Sequence, residues 1–242
     1  MGKPPIIILH GWGLSGKVYQ PLIDELKKLG FRAFAPDLPG FGKELPPHYP
    51  WKLRDYARFV DDYLRKHKVV RPIFIGHSFG GRISLKYQEL YPKNVRALIL
   101  SGTPGFTPIP KKKLLLFIAL AKIGRIVFSL TPLNLFSDYV RRWYYYVVGA
   151  KDFFRAEGVM RDIFKIIVQE ELVTSMQSVT VPCLLLWGEY DLITPTAIAY
   201  RMREVVPDAE LKIIPEADHG VSFKQPEIFV QYIDQFLKRH LG

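Results

Sequence analysis

Cysteine is nearly absent from this chain. The one present, Cys183, sits inside an apolar run, so no disulfide can close within the chain. That excludes a disulfide-stapled fold and is expected of a protein in a reducing, cytoplasmic setting. Long apolar runs are missing as well. Ile6-Ile7-Ile8-Leu9 is too short to be the apolar core of a signal peptide. Residues 114–130 form the one stretch that resembles a membrane span, but it is short and carries Lys122, Gly124 and Arg125. Stable membrane insertion is therefore not expected; with Lys111, Lys112 and Lys113 the stretch suggests weak interfacial association at most. Internal repeats and polar low-complexity tracts are also lacking, which argues against a solenoid and against extended disorder. Acidic residues are in deficit, 23 Asp and Glu against 34 Lys and Arg, for a net charge of +11. No nucleic-acid-binding motif accompanies that charge. It reads as a solvated basic surface, and no nucleic-acid partner is expected.

What the chain has is enough apolar material for a sizeable core. At 242 residues and 48% hydrophobic content it forms one large domain, or one domain with an insertion. Its organising stretch is Gly76-His77-Ser78-Phe79-Gly80. A β-branched and aromatic run, Pro72-Ile73-Phe74-Ile75, leads into it, and Phe79, Ile83, Tyr87 and Leu90 lead out at helical spacing. The setting is strand, sharp turn, helix, with the serine at the corner. Flanking glycines remove the Cβ atoms that would collide in so tight a turn. The serine also stands at a helix N-terminus, where free N–H groups favour developing negative charge.

Strand and helix patterns alternate on both sides of this point. Residues 5–9 read as a buried strand because they are apolar without alternation. Val18, Leu22, Leu26 and Leu29 give a helix that stops at Gly30, and residues 31–36 a second strand. Leu53, Tyr56, Ala57, Val60 and Leu64 mark the next helix, and residues 95–101 the strand after the elbow helix. Residues 182–187 and 209–214 give two more strands. Thr194-Pro195 reads as a cap and first turn, and Pro226 opens the last helix. Six strands alternating with helices imply an α/β fold, a mostly parallel sheet with helices on both faces joined by right-handed crossovers. The rhythm breaks between residues 103 and 179, which read as a helical insertion over one end of the sheet. Between residues 104 and 179 there are eleven Lys and Arg against six Asp and Glu, so the insertion carries much of the positive charge. The core is thus 1–102 with 180–242, and the insertion 103–179.

A serine hydroxyl is a weak nucleophile and needs a base within reach; the base needs an anion to fix its tautomer. In a parallel sheet such groups gather at the carboxyl ends of strands. Ser78, Asp191 and His219 each follow a strand in a turn-rich loop. His219 is preferred over His10, His48, His67, His77 and His240 as the base; His77, next to the elbow glycine, is expected to point away from the serine. Asp191 is preferred over Glu189 and Asp218 as the acid, with helix capping as its alternative role. The loop His10-Gly11-Trp12-Gly13 offers Trp12 N–H, and the elbow offers Phe79 N–H, as two donors for an oxyanion.

These motifs, with Asp37-Leu38-Pro39-Gly40-Phe41-Gly42, Trp187-Gly188-Glu189-Tyr190-Asp191 and Asp218-His219-Gly220, resemble the α/β-hydrolase superfamily over nearly the whole chain. The resemblance implies a Ser78–Asp191–His219 triad, Trp12 and Phe79 as oxyanion donors, and residues 103–179 as a cap. Six strands are read where the family usually has eight; the two N-terminal ones are the missing pair. A serine at the elbow sets the chain apart from the dehalogenase and epoxide hydrolase branches, which use aspartate there. The resemblance implies an esterase acting on a small-molecule ester of hydrophobic character, without metal or organic cofactor, as monomer or homodimer. Cap aromatics such as Trp143 and Tyr146 are candidates for substrate contact. The alternatives are a carbon–carbon bond hydrolase of the meta-cleavage-product type, a lipase or thioesterase for longer acyl chains, and a non-catalytic ligand receptor on the same fold.

Overall fold

The structure, a computed structural model, describes residues 2–106 and 156–241. Six parallel strands form one sheet. They are β1 (Ile6–Leu9), β2 (Ala33–Phe34), β3 (Ile73–His77), β4 (Ala97–Ser101), β5 (Cys183–Gly188) and β6 (Glu210–Ile214), in the order β2-β1-β3-β4-β5-β6. Ile6 pairs with Ile73, Ile73 with Ala97, and Leu98 with Cys183. The α/β class and the parallel six-stranded sheet are as the alternating sequence pattern predicts.

Successive strand side chains point to opposite faces, so the apolar strands divide the interior into two layers. Ile7, Leu9, Phe74, Leu98, Leu100, Leu185 and Trp187 face one layer. There they meet α2 (Leu53–Lys66), α3 (Phe79–Leu90) and α6 (Thr196–Val205), together with two helices within the insertion, α4 (Gly158–Gln169) and α5 (Val173–Gln177). Ile6, Ile8, Ile75, Ile99, Leu184 and Leu186 face the other layer, which α1 (Gln20–Lys28), α7 (Val221–Lys224) and α8 (Pro226–Leu241) cover.

Local chemistry sets the element ends. The Asp55 carboxylate accepts the Lys52 N–H at 2.9 Å and starts α2. α1 stops where Gly30 N–H reaches Lys27 O and Phe31 N–H reaches Leu26 O, as its sequence stop signal predicts. That closure takes Phe31 out of the second strand, and Pro36 has no N–H to offer. β2 is therefore only two residues of the predicted 31–36, at the sheet edge.

Arg82 on α3 is buried, and its guanidinium holds three backbone carbonyls. It donates to Pro104 O where the chain leaves β4, to Ile167 O at 2.7 Å in α4, and to Glu170 O beyond it. The remainder of the insertion, including Trp143, Tyr146, Lys111, Lys112, Lys113 and the 114–130 stretch, lies outside the described residues. Among the described residues no helix is long and apolar enough to cross a membrane.

Candidate active site

The sheet changes direction between β1 and β3. The chain goes from β1 outward to β2 and then returns to the far side of β1. Loops leaving the carboxyl ends of β1 and β3 diverge there and open a crevice. The loop after β1 carries Gly11 and Trp12, and the turn after β3 carries Ser78.

Ser78 has φ 52° and ψ −110°, a left-handed region that a residue with a Cβ seldom adopts. Its N–H donates to Ser101 O at 2.8 Å, and its C=O accepts from Gly81 N–H and Arg82 N–H. The backbone is thus pinned at both ends, and the side chain stands partly exposed. Phe79 begins α3 directly behind it. Neither the Trp12 nor the Phe79 amide donates a hydrogen bond among the described residues. They belong to the loops after β1 and β3.

Asp191 follows β5 and His219 follows β6. His219 Nδ1 lies 2.8 Å from Asp191 Oδ2. A carboxylate only accepts, so Nδ1 carries the proton and Nε2 presents a lone pair. Asp191 is 3% exposed and bonded at both oxygens. Oδ1 accepts Ile193 N–H and Thr194 N–H; Oδ2 also accepts the Thr194 hydroxyl at 2.7 Å. Burial pushes the Asp191 carboxyl up, but the His219 hydrogen bond and charge and the Thr194 donors outweigh it and hold the group below its ordinary value. Gly102 makes room for the pair: a Cβ there would stand 2.7 Å from the His219 ring. The other acids are engaged elsewhere. Glu189 accepts from Glu216 N–H, and Asp218 pairs with Lys224 and accepts Gly220 N–H.

Ser78 and His219 line one cleft of about 430 Å³, without a direct hydrogen bond between them. Its walls include Trp12, Leu14, Tyr190, Ile193 and Phe223, so the space beside the serine is mostly apolar.

Two features of the site escape the sequence reading. The predicted cap, Thr194-Pro195, is displaced: α6 starts at Thr196 with Pro195 at its N-cap. The Thr194 hydroxyl donates to Asp191, and no side-chain cap bond is made at the start of α6. From the sequence His77 is weighed only as a base, with no partner for it or for Tyr19; the structure bonds the two at 2.6 Å. His77 is a buried polar residue ending an otherwise apolar strand, and that is the one signal that could have marked it, since such groups require partners.

A family model described as the alpha/beta hydrolase fold matches residues 4–132, and one described as TAP-like protein matches residues 166–240. The chain is 28% identical over 257 residues to the AB hydrolase superfamily protein YisY of Bacillus subtilis (strain 168), across 96% of this chain and 91% of that protein. It is 25% identical over 246 residues to the uncharacterized carboxylesterase nap of the same organism, across 99% of this chain and 81% of that protein. Among solved structures, the esterase EaEST of Exiguobacterium antarcticum has a similar fold, with a TM-score of 0.74 at 22% identity, over 98% of this chain and 92% of that one.

Proposed function

The chain belongs to the α/β-hydrolase family, and we propose that it is a serine hydrolase that cleaves carboxylic esters of small to medium hydrophobic substrates through an acyl-enzyme. The observation that carries this reading is the 2.8 Å contact of His219 Nδ1 with a buried Asp191, in a cleft that also holds a strained Ser78. The relative named as a carboxylesterase and the esterase of similar fold support the ester reading. The apolar walls at Leu14, Ile193 and Phe223 support a hydrophobic substrate.

In this scheme Ser78 Oγ attacks the ester carbonyl while His219 Nε2 takes its proton. Asp191 keeps the proton on Nδ1 and stabilises the imidazolium that forms. Trp12 and Phe79 N–H groups hold the oxyanion of the tetrahedral intermediate. The alcohol leaves with the proton from Nε2. Water then repeats the sequence on the acyl-enzyme and frees the acid and Ser78. No step requires a metal or an organic cofactor.

The test is turnover of p-nitrophenyl acetate, butyrate and octanoate by the wild type and Ser78→Ala. The substitution is expected to lower kcat by at least about 10⁴-fold. Equal rates in the two proteins would remove Ser78 from the chemistry.

A further inference from the structure

The proposed chemistry leaves one buried histidine at the site without a task. His77 ends β3 and immediately precedes Ser78, and it is bonded at both ring nitrogens. Nε2 lies 2.8 Å from the His219 carbonyl oxygen, and Nδ1 lies 2.6 Å from the Tyr19 hydroxyl. A carbonyl oxygen only accepts, so Nε2 carries the proton and donates. Nδ1 is then a lone pair, and the Tyr19 hydroxyl donates to it. The Tyr19 oxygen accepts the Gly11 N–H at 3.2 Å. Every direction along this chain of three bonds is fixed by chemistry. Burial, and next the charge of His219, push His77 down to about 3, so the ring stays neutral near pH 7.

The two ends of the chain fall on the two loops that the reaction uses. At one end is the backbone of His219 itself. Asp191 holds this residue by its ring, and His77 holds it by its carbonyl. At the other end is Gly11, whose carbonyl belongs to the same peptide unit as the Trp12 N–H. That carbonyl oxygen accepts from His10 Nδ1 at 2.9 Å and from Leu14 N–H at 3.2 Å. His10 donates there because its Nε2 accepts from Leu38 N–H. A peptide unit is planar, so fixing its carbonyl fixes the direction of its N–H. Tyr19 anchors the amide on the preceding side. Closeness is needed as well: a Cβ on Gly11 would stand 2.9 Å from His77 Nδ1. Phe223, a cleft wall, packs edge-on against both the Tyr19 and His77 rings.

We propose that Tyr19 and His77 form a positioning bridge that sets the general-base loop and the oxyanion loop relative to Ser78. Tyr19 is fully buried and His77 is 2% exposed at the cleft wall, so the bridge acts through the loops it holds. It rests on the reading of Ser78 and His219 given above.

The experiment compares Tyr19→Phe, His77→Gln and His77→Leu with the wild type. It reads kcat and KM on p-nitrophenyl butyrate, the rate of Ser78 labelling by a fluorophosphonate, and the melting temperature. Tyr19→Phe keeps the ring and removes the bridging oxygen. It is expected to lower kcat and the labelling rate about tenfold or more, with KM within about twofold. His77→Leu is expected to cost about 100-fold in kcat, as for a comparable misplacement of reacting groups. His77→Gln can still donate to the His219 carbonyl, and is expected to recover about tenfold over His77→Leu. A merely structural role would lower the melting temperature and leave kcat and labelling per folded molecule unchanged. That result, or a change confined to KM, overturns the bridge. If His77→Leu does not fold, Tyr19→Phe decides. A wild type that neither turns over ester nor labels would instead overturn the reading of Ser78, and the bridge with it.

Discussion

Asp191 gathers four donors onto two oxygens, and that fixes what its replacement would do. In Asp191→Asn one oxygen becomes an NH₂ group. It must then face either the Thr194 N–H, donor against donor, or His219 Nδ1, which it would push into the wrong tautomer. On the proposed mechanism kcat falls about 10⁴-fold with the fold retained, measured on p-nitrophenyl butyrate. The same carboxylate has a stability signature. Its value in the folded protein lies below the ordinary 3.8, so its contribution is present above that pH and is lost as the pH falls through the folded value. The advantage of wild type over Asp191→Asn, read from urea midpoints, is expected to be flat from pH 5 to 7 and to shrink below about 4. Residues 78, 191 and 219 stand out in the sequence because each lies in a turn-rich loop that follows a strand pattern. The partnerships of Tyr19, His77 and Thr194 do not. Tyr19 and His77 are 58 residues apart, and His77 and His219 are 142 apart. No local pattern encodes a contact at that range.

At the level of elements, continuous apolar runs made β1, β3, β4 and β5 legible, because a strand buried on both faces has no polar positions to confuse it with anything else of that length. The edges were harder to read. β2 lost most of its length to the closure of α1. The four-residue helix α7 has no mark in the sequence, since one turn carries too few residues for periodicity to register. α3 carries the least visible role. Its Arg82, which no sequence motif marks, is 3% exposed, with its guanidinium on three backbone carbonyls. Burial lowers its pKa to about 10, and Glu170 opposes that shift, so it remains charged at neutral pH. Arg82→Met would fill similar space and leave those carbonyls unpaired. It is expected to cost about 3 kcal/mol in urea unfolding, near the value for removing one partner from a buried charged contact.

For the whole molecule, stability is divided between two apolar layers that share the sheet, and each has cleft-wall residues packed on it, Trp12 on the first and Leu14 and Phe223 on the second. Helix α8 covers the second layer with Phe229, Ile233, Phe236 and Leu237. Phe236→Ala is expected to cost about 3–5 kcal/mol in urea unfolding. Ester turnover per folded molecule is expected to stay at the wild-type level, which separates the load on this layer from the chemistry above the sheet. The Arg82 contacts have a further consequence at this scale. Pro104 and the carboxyl end of α4 are held by one guanidinium, so the connection from β4 through α4 is closed at a single side chain. A segment tethered this way can be exchanged for a longer or shorter one with little change in closure entropy, because that entropy grows only slowly with length. Changes of length are therefore expected to be tolerated ahead of α4, whose Ile163 and Ile167 belong to the first apolar layer, provided the backbone oxygens at 104, 167 and 170 still reach the same latch.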